Sequence, residues 1–421
     1  MLKHILKMIK AQGRENAWVF TELLVVFVLL WWSVDTWLMQ GITAHQPEGF
    51  SVDNVCKLTL AARPESSAAY IPYEKGSDEM GDNFLRIVDR IRTHPDVEAV
   101  TYCTAFSSPF TYASGQRMYW NDTVRSAVGL TYDVTPDYFR VFDIHTADGG
   151  SPSRLSEALS GGWIISKTLA DNLSDGEQLL GKPLAFNKGD STTYRVVGIT
   201  APIKKQGFDQ PRPITFSELT EQDIRHSGEQ QLTKVQISFR LRPGVKGSTE
   251  YAEAFKKEMK QGLAVGNFWL ADVQYYPDIR HRFLDNSMQM NGRRLVVAVN
   301  VFLLVNVFLA VIGLFWFRVS RRKGEIGLRM AIGSTRRGVR SLTMGEGLLI
   351  LTLIAIPALL ICLNMAYIDL LSTEVMKVTF ARLAAVSLLT WCILALVIIL
   401  ATWYPSHKAA RLEPAEALHY E

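Results

Sequence analysis

The residues most able to do chemistry in a 421-residue chain would ordinarily be clustered carboxylates, histidines, cysteines or glycine-rich phosphate loops, and here those patterns are missing. No Gly-x4-Gly-Lys-Ser/Thr loop occurs, so the chain carries no P-loop nucleotide site of its own. There is no His-Glu-x-x-His and no Gly-x-Ser-x-Gly elbow. The eight histidines are scattered, without a Cys-x-x-Cys to join them in a metal site. What stands out instead is a basic segment. Residues 318–340 hold eight Lys or Arg and a single acid, Glu325. Within it Arg322, Glu325 and Arg329 fall on one helical face and Ile326, Met330 and Ala331 on another. Gly333 suits the end of a helix and Ser334 the cap of the next, with Arg336 and Arg337 following. This pattern suits docking rather than catalysis: a short helix at a membrane surface, charged on one side and apolar on the other. Attraction to anionic lipid accounts for the charge alone, but not for the glycine–serine break.

That segment needs elements to position it, and the hydropathy supplies them. Four apolar stretches of 21–23 residues, 17–39, 295–317, 348–368 and 383–403, each match the ~30 Å hydrocarbon layer at ~1.5 Å per residue. The first is too long for a signal-peptide core and lacks a small-x-small cleavage site. Trp31, Trp32 and Trp37 form an aromatic belt at its outer end, while Glu22 and Asp35 lie near its two ends. The span interiors offer no ionisable pair of the kind that marks proton-driven carriers; Glu346 and Asp369 sit towards the ends of the third span.

Charge then sets the orientation. The N-terminal segment carries Lys3, Lys7, Lys10 and Arg14 against Glu15, and it lies two crossings from the basic loop, so both are expected in the cytoplasm, as is the C-terminus. Residues 40–292 fall outside with 27 basic and 31 acidic residues, net −4; the remainder has 18 and 10, net +8, and together they give the overall +4. The modest mean hydropathy of +0.08 is likewise an average of four apolar spans and one water-soluble domain.

The external segment is long enough for its own core. Two strand–helix–strand patterns bracket it. One runs from Val52–Ala62 through Asn83–Thr93 to Val97–Ala105, with Phe84, Ile87, Val88 and Ile91 at helical spacing. The other runs from Val235–Arg242 through Glu250–Leu263 to Trp269–Tyr276. Between them, 125–220 reads as mostly β, and a single continuous α/β domain is the competing view. The fold expected is a membrane protein with four transmembrane helices and a large α+β extracytoplasmic domain. Its parts are a cytoplasmic amphipathic segment 1–16, a first span 17–39, an outer domain 40–292, a second span 295–317 and the coupling loop 318–340. There follow a third span within 341–371, a short external loop 372–382, a fourth span 383–403 and a cytoplasmic tail 404–421. Arg280–Phe317 reads as one long helix whose outer part, 277–294, is a stalk. Cys56 and Cys103 are both external and leave two readings open, a disulfide or two buried thiols on strands; Cys362 and Cys392 are packing residues within spans.

Glu325-Ile326-Gly327-Leu328-Arg329-Met330-Ala331-Ile332-Gly333 resembles the signature that follows the second span in the permease family of MacB, LolC, LolE and FtsX, subunits of ATP-binding-cassette transporters. The tail Tyr404-Pro405 to Ala417-Leu418, with its Ala409-Ala410-Arg411 and Pro414, is similar to that family's C-terminus. In the outer segment Thr135-Pro136-Asp137-Tyr138-Phe139, Gly181-Lys182-Pro183-Leu184 and Arg195-Val196-Val197-Gly198-Ile199 match recurring MacB-like phrases. Gly324 and Ser334 depart from the family's usual residues. The resemblance implies a MacB-like periplasmic core, in which 52–124 and 221–276 form the porter-like part and 125–220 its β-rich neighbour. It also implies a bacterial inner-membrane protein that pairs with an identical or paralogous permease, contacts lipid, and docks a separate cytosolic ATPase on Arg322, Glu325, Ile326, Arg329, Met330, Gly333, Ser334, Arg336 and Arg337. ATP and Mg belong to that ATPase; this chain is expected to be no enzyme, to hold no cofactor and to bind no nucleic acid. The activity implied is mechanical coupling of ATP hydrolysis to the outer domain, for export or extraction of a peptide, lipoprotein, lipid or drug. The alternative is FtsX-like signalling to a periplasmic partner such as a cell-wall hydrolase; a periplasmic adaptor is a further expected partner for export.

Overall fold

A computed structural model describes residues 13–74, 76–111, 115–121, 125–174, 178–205, 210–286, 288–321, 335–368, 371 and 378–409. The chain divides into two compact units, Thr43–Ser287 and the segments on either side of it.

The outer unit is built on ten strands: β1 (Val55–Ala62), β2 (Val97–Cys103), β3 (Gln116–Asn121), β4 (Arg125–Val134), β5 (Trp163–Ser166), β6 (Pro183–Ala185), β7 (Tyr194–Thr200), β8 (Ile214–Glu218), β9 (Gln236–Leu241) and β10 (Phe268–Tyr275). Four of them make an antiparallel sheet in the order β10-β1-β9-β2, with helix Glu79–Arg92 between β1 and β2 and helix Thr249–Met259 between β9 and β10. This is the split βαβ arrangement, assembled from two halves far apart in sequence. The periodic residues of the first helix do the packing: Phe84, Ile87, Val88 and Ile91 are buried on Leu58, Phe239 and Phe268. Ser248 caps the second helix by accepting from the Tyr251 N–H at 3.1 Å.

The remaining six strands follow one another as β4-β3-β6-β7-β5-β8, and β8 pairs back onto β4 in parallel, Leu130 against Ile214 through Val134 against Glu218. The insertion is therefore a closed ring of strands, which leaves it no free edge. Tyr119, Trp163, Ile165, Leu184 and Val196 fill one part of it. β3 belongs to this ring through its pairing with β4 and β6, so the barrel begins before residue 125, the start expected for the β-rich insertion. Strand β2 meets β4 at one paired position among the described residues, Cys103 against Val134, and a shared core that includes Val55, Ala99, Leu130, Ile214 and Phe216 packs the two parts together.

Cys56 and Cys103 are both free and buried, which excludes the disulfide reading. Strand β9 lies between their strands, with Cys56 opposite Phe239 and Cys103 opposite Gln236. Two inter-strand steps of ~4.8 Å already exceed the ~7 Å limit between bridged Cα atoms. Burial pushes both thiols up to about 12, so they remain protonated and unreactive at neutral pH.

The membrane unit contains helices Gly13–His45, Met288–Arg321, Arg336–Tyr367 and Phe380–Ala409, each with a stretch long and apolar enough to cross a bilayer. Leu23, Phe27, Leu30 and Val34 of the first helix, spaced by three and four, form its buried stripe. They share a core with Val307, Val311, Leu351, Ile354, Ala358, Leu394 and Ile398 from the other three helices. Pro357 sits inside the third helix, as lipid-embedded helices tolerate. Helices Tyr276–Asn286 and Met288–Arg321 cover the region read as stalk and second span.

Candidate functional site

Of the nine residues assigned to ATPase coupling, Arg322, Glu325, Ile326, Arg329, Met330, Gly333 and Ser334 lie outside the described residues. The other two open the third membrane helix. Its cap is Thr335, one position later than Ser334, because the Thr335 hydroxyl accepts from the Gly338 N–H at 3.1 Å. Arg336 and Arg337 therefore occupy the first turn, and Arg337 is exposed. Cations there oppose the helix dipole at about 0.3–1 kcal/mol each. They do not help the helix form; anionic groups in the surroundings, lipid phosphates or a partner's carboxylates, are what such a placement suits.

Near the span ends, the helices differ from expectation in one respect: Asp35 is buried against another helix rather than open to the interface. Asp35 of the first helix and Arg382 of the last form a two-pronged ion pair. Arg382 Nε donates to Oδ1 at 2.8 Å and an η nitrogen donates to Oδ2 at 2.6 Å, with the side chains 4% and 0% exposed. A carboxylate in a low-dielectric bundle is tolerable only with such a partner, and the planar guanidinium supplies both hydrogen bonds at once. One turn away the Trp31 indole donates to Ser387 Oγ at 3.0 Å, so this member of the expected aromatic belt is buried between helices. The signal was present in the sequence: opposite charges at the outer ends of the first and fourth spans, which the topology brings to one depth.

The outer unit has its own buried cation, close to its first residues. Lys204, 1% exposed, follows β7 and donates through Nζ to the carbonyls of Thr43 at 2.5 Å and Gln46 at 2.6 Å. Helix Gly13–His45 ends here, and since the Thr43 carbonyl also accepts from the Gln46 N–H at 3.1 Å, the ammonium is a second, charged donor at the negative end of the dipole. Burial lowers the lysine pKa and the nearby Glu48 carboxylate raises it. Glu48 in turn accepts from Arg280 at 2.5 Å, on the helix that follows β10. Residues 43–48, the loop after β7 and helix Tyr276–Asn286 are thus tied at one junction. Sequence reading gave Lys204 no role, since a lysine in a loop carries no local sign of burial.

Four helices able to cross a membrane, with a split βαβ sheet and an inserted barrel between the first and second, define a membrane protein with a large extracytoplasmic domain. Residues 37–256 match the model of the MacB-like periplasmic core domain, and residues 297–414 match that of the FtsX-like permease C-terminal domain. The chain belongs to the MacB/FtsX-type family of ABC transporter permeases. It is similar to the macrolide export ATP-binding/permease protein MacB of Bdellovibrio bacteriovorus, 27% identical over 267 residues, which covers 61% of this chain and 38% of that one. Among solved structures it is similar to the periplasmic region of MacB from Actinobacillus actinomycetemcomitans, at 13% identity and a TM-score of 0.35, covering 59% of this chain and 99% of that one. It is also similar to the extracellular domain of the transporter YknZ from Gram-positive bacteria, at 14% identity and a TM-score of 0.31, covering 51% and 100%.

Proposed function

We propose that this permease transmits the stroke of a separate cytosolic ATPase to its outer domain, and that the stroke serves export or extraction of a peptide, lipoprotein, lipid or drug. The observation that carries the reading is the joining, on one chain, of a MacB-like core domain and an FtsX-like membrane domain whose most basic segment lies between the second and third spans. That segment ends in Arg336 and Arg337, placed where they oppose their own helix. In this reading the ATPase holds ATP and Mg, and docks on residues 322–337. The chain sits in the bacterial inner membrane with both termini in the cytoplasm and pairs with a second permease, identical or paralogous. A periplasmic adaptor would join the assembly for export.

Tagged chain purified in mild detergent tests this. Recovery of an ABC ATPase at a one-to-one ratio, with ATP hydrolysis raised by the permease, supports the reading; recovery of no ATPase contradicts it. Co-recovery of a cell-wall hydrolase in place of an adaptor would move the output from export to signalling.

A further inference from the structure

A cleft of about 790 Å³ opens in the outer unit where the barrel faces the segments 104–106 and 224–235. Its volume lies within the range of ligand sites, roughly 300–1,000 Å³. One wall is aromatic. Trp163 and Tyr194 are stacked at 4.0 Å with their planes 10° apart, Phe186 closes on Trp163 at 4.7 Å, and the Arg117 guanidinium lies 4.7 Å over the Phe186 ring. Phe106, 48% exposed, lines the same cleft from the segment after β2. An exposed phenylalanine and an exposed tyrosine lining one cleft are not required by the barrel core, which Tyr119, Ile165 and Val196 already fill.

The floor is acidic. Asp133 on β4 and Glu218 on β8 come from paired strands, with Asp133 opposite Ser217 and Val134 opposite Glu218. Ser217 Oγ donates to Asp133 at 2.6 Å. Both carboxylates are half-buried, and among the described residues neither forms an ion pair with the two cations of the cleft, Lys234 and the Arg117 that lies over Phe186. Half-buried carboxylates without a counter-ion, next to exposed aromatic rings, match a ligand with a cationic group close to an apolar ring. The cleft is also lined by Gln231 and Lys234, while the Thr104, Thr131 and Ser227 hydroxyls along it are hydrogen-bonded to Ser107, Tyr119 and the Asp223 carbonyl.

We infer that this cleft binds an extended peptide segment, seating an aromatic side chain against Phe106 and Tyr194 and a lysine or arginine against Glu218 and Asp133. The inference deepens the export reading, since it gives that reading a substrate class and a place of capture.

The test uses the full chain in lipid nanodiscs and a positional-scanning library of acetylated, amidated hexapeptides, with retained peptides identified by mass spectrometry. Peptides carrying Lys or Arg within three positions of Phe, Tyr or Trp are expected to be retained at least tenfold over those with Asp or Glu in its place. Glu218→Lys should invert that preference, and Phe106→Ala should lower retention about tenfold with the far-UV spectrum unchanged. Equal retention of acidic peptides, no retention above empty nanodiscs, or retention indifferent to both substitutions would overturn the inference. ATPase recovery is measured on the same preparations. Intact recovery without peptide retention sinks the cleft alone, and retention without ATPase sinks the coupling reading alone.

Discussion

The first and second membrane helices are opposites. The first is the least apolar of the four candidate spans, yet half of its window is buried within the chain; the second is among the most apolar, and only 17% of its window is buried. Phe302 and Leu309 of the second helix are 66% and 60% exposed, whereas Phe27, Leu30 and Trp31 of the first are sealed. In water the most apolar helix would be the central one. In a bilayer, lipid tails solvate apolar side chains as well as other helices do, so hydropathy no longer predicts burial. Polar groups must find protein partners instead, and the helix that carries Asp35 is drawn to the centre by Arg382 and Ser387.

This contrast can be broken most severely at the ion pair. Asp35→Asn removes the carboxylate charge from a fully buried two-pronged ion pair, a change worth about 3–5 kcal/mol. The expected result is loss of the folded bundle in a detergent unfolding titration, with recovery in the Asp35→Arg, Arg382→Asp double exchange. A smaller effect is expected at the outer end of the same helix. Lys204→Met would remove the charged donor shared by the Thr43 and Gln46 carbonyls, at about 1–3 kcal/mol, seen as a lower melting temperature of the outer unit. The smallest effect belongs to the second helix. Leu309→Ala should change the stability of the single chain by less than about 0.5 kcal/mol, since its side chain touches little within it. A large loss confined to the oligomer would show that this face is covered by a second permease rather than by lipid.

Local pattern was enough for much of the architecture. The helical spacing of Phe84, Ile87, Val88 and Ile91 gave the packed face of helix Glu79–Arg92, and the two strand–helix–strand halves are the split βαβ sheet. Closure of the barrel was not legible, because β4 and β8 pair in parallel across more than 80 residues and neither strand carries a mark of its partner. The same holds for Asp35 and Arg382, 347 residues apart: each alone reads as a charge at a span end. After the basic segment the helix start was legible to within one residue, since Ser334 and Thr335 are both good caps and only geometry selects Thr335.

The central claim is that a cytosolic ATPase drives this permease through the segment between its second and third spans. Its most direct measurement is ATPase recovery and permease-stimulated hydrolysis with Glu325→Ala and Arg329→Ala combined, compared with the unaltered chain at equal membrane abundance. The account predicts that ATPase recovery falls at least tenfold while the bundle and outer unit stay folded. Undiminished recovery and stimulation would contradict it.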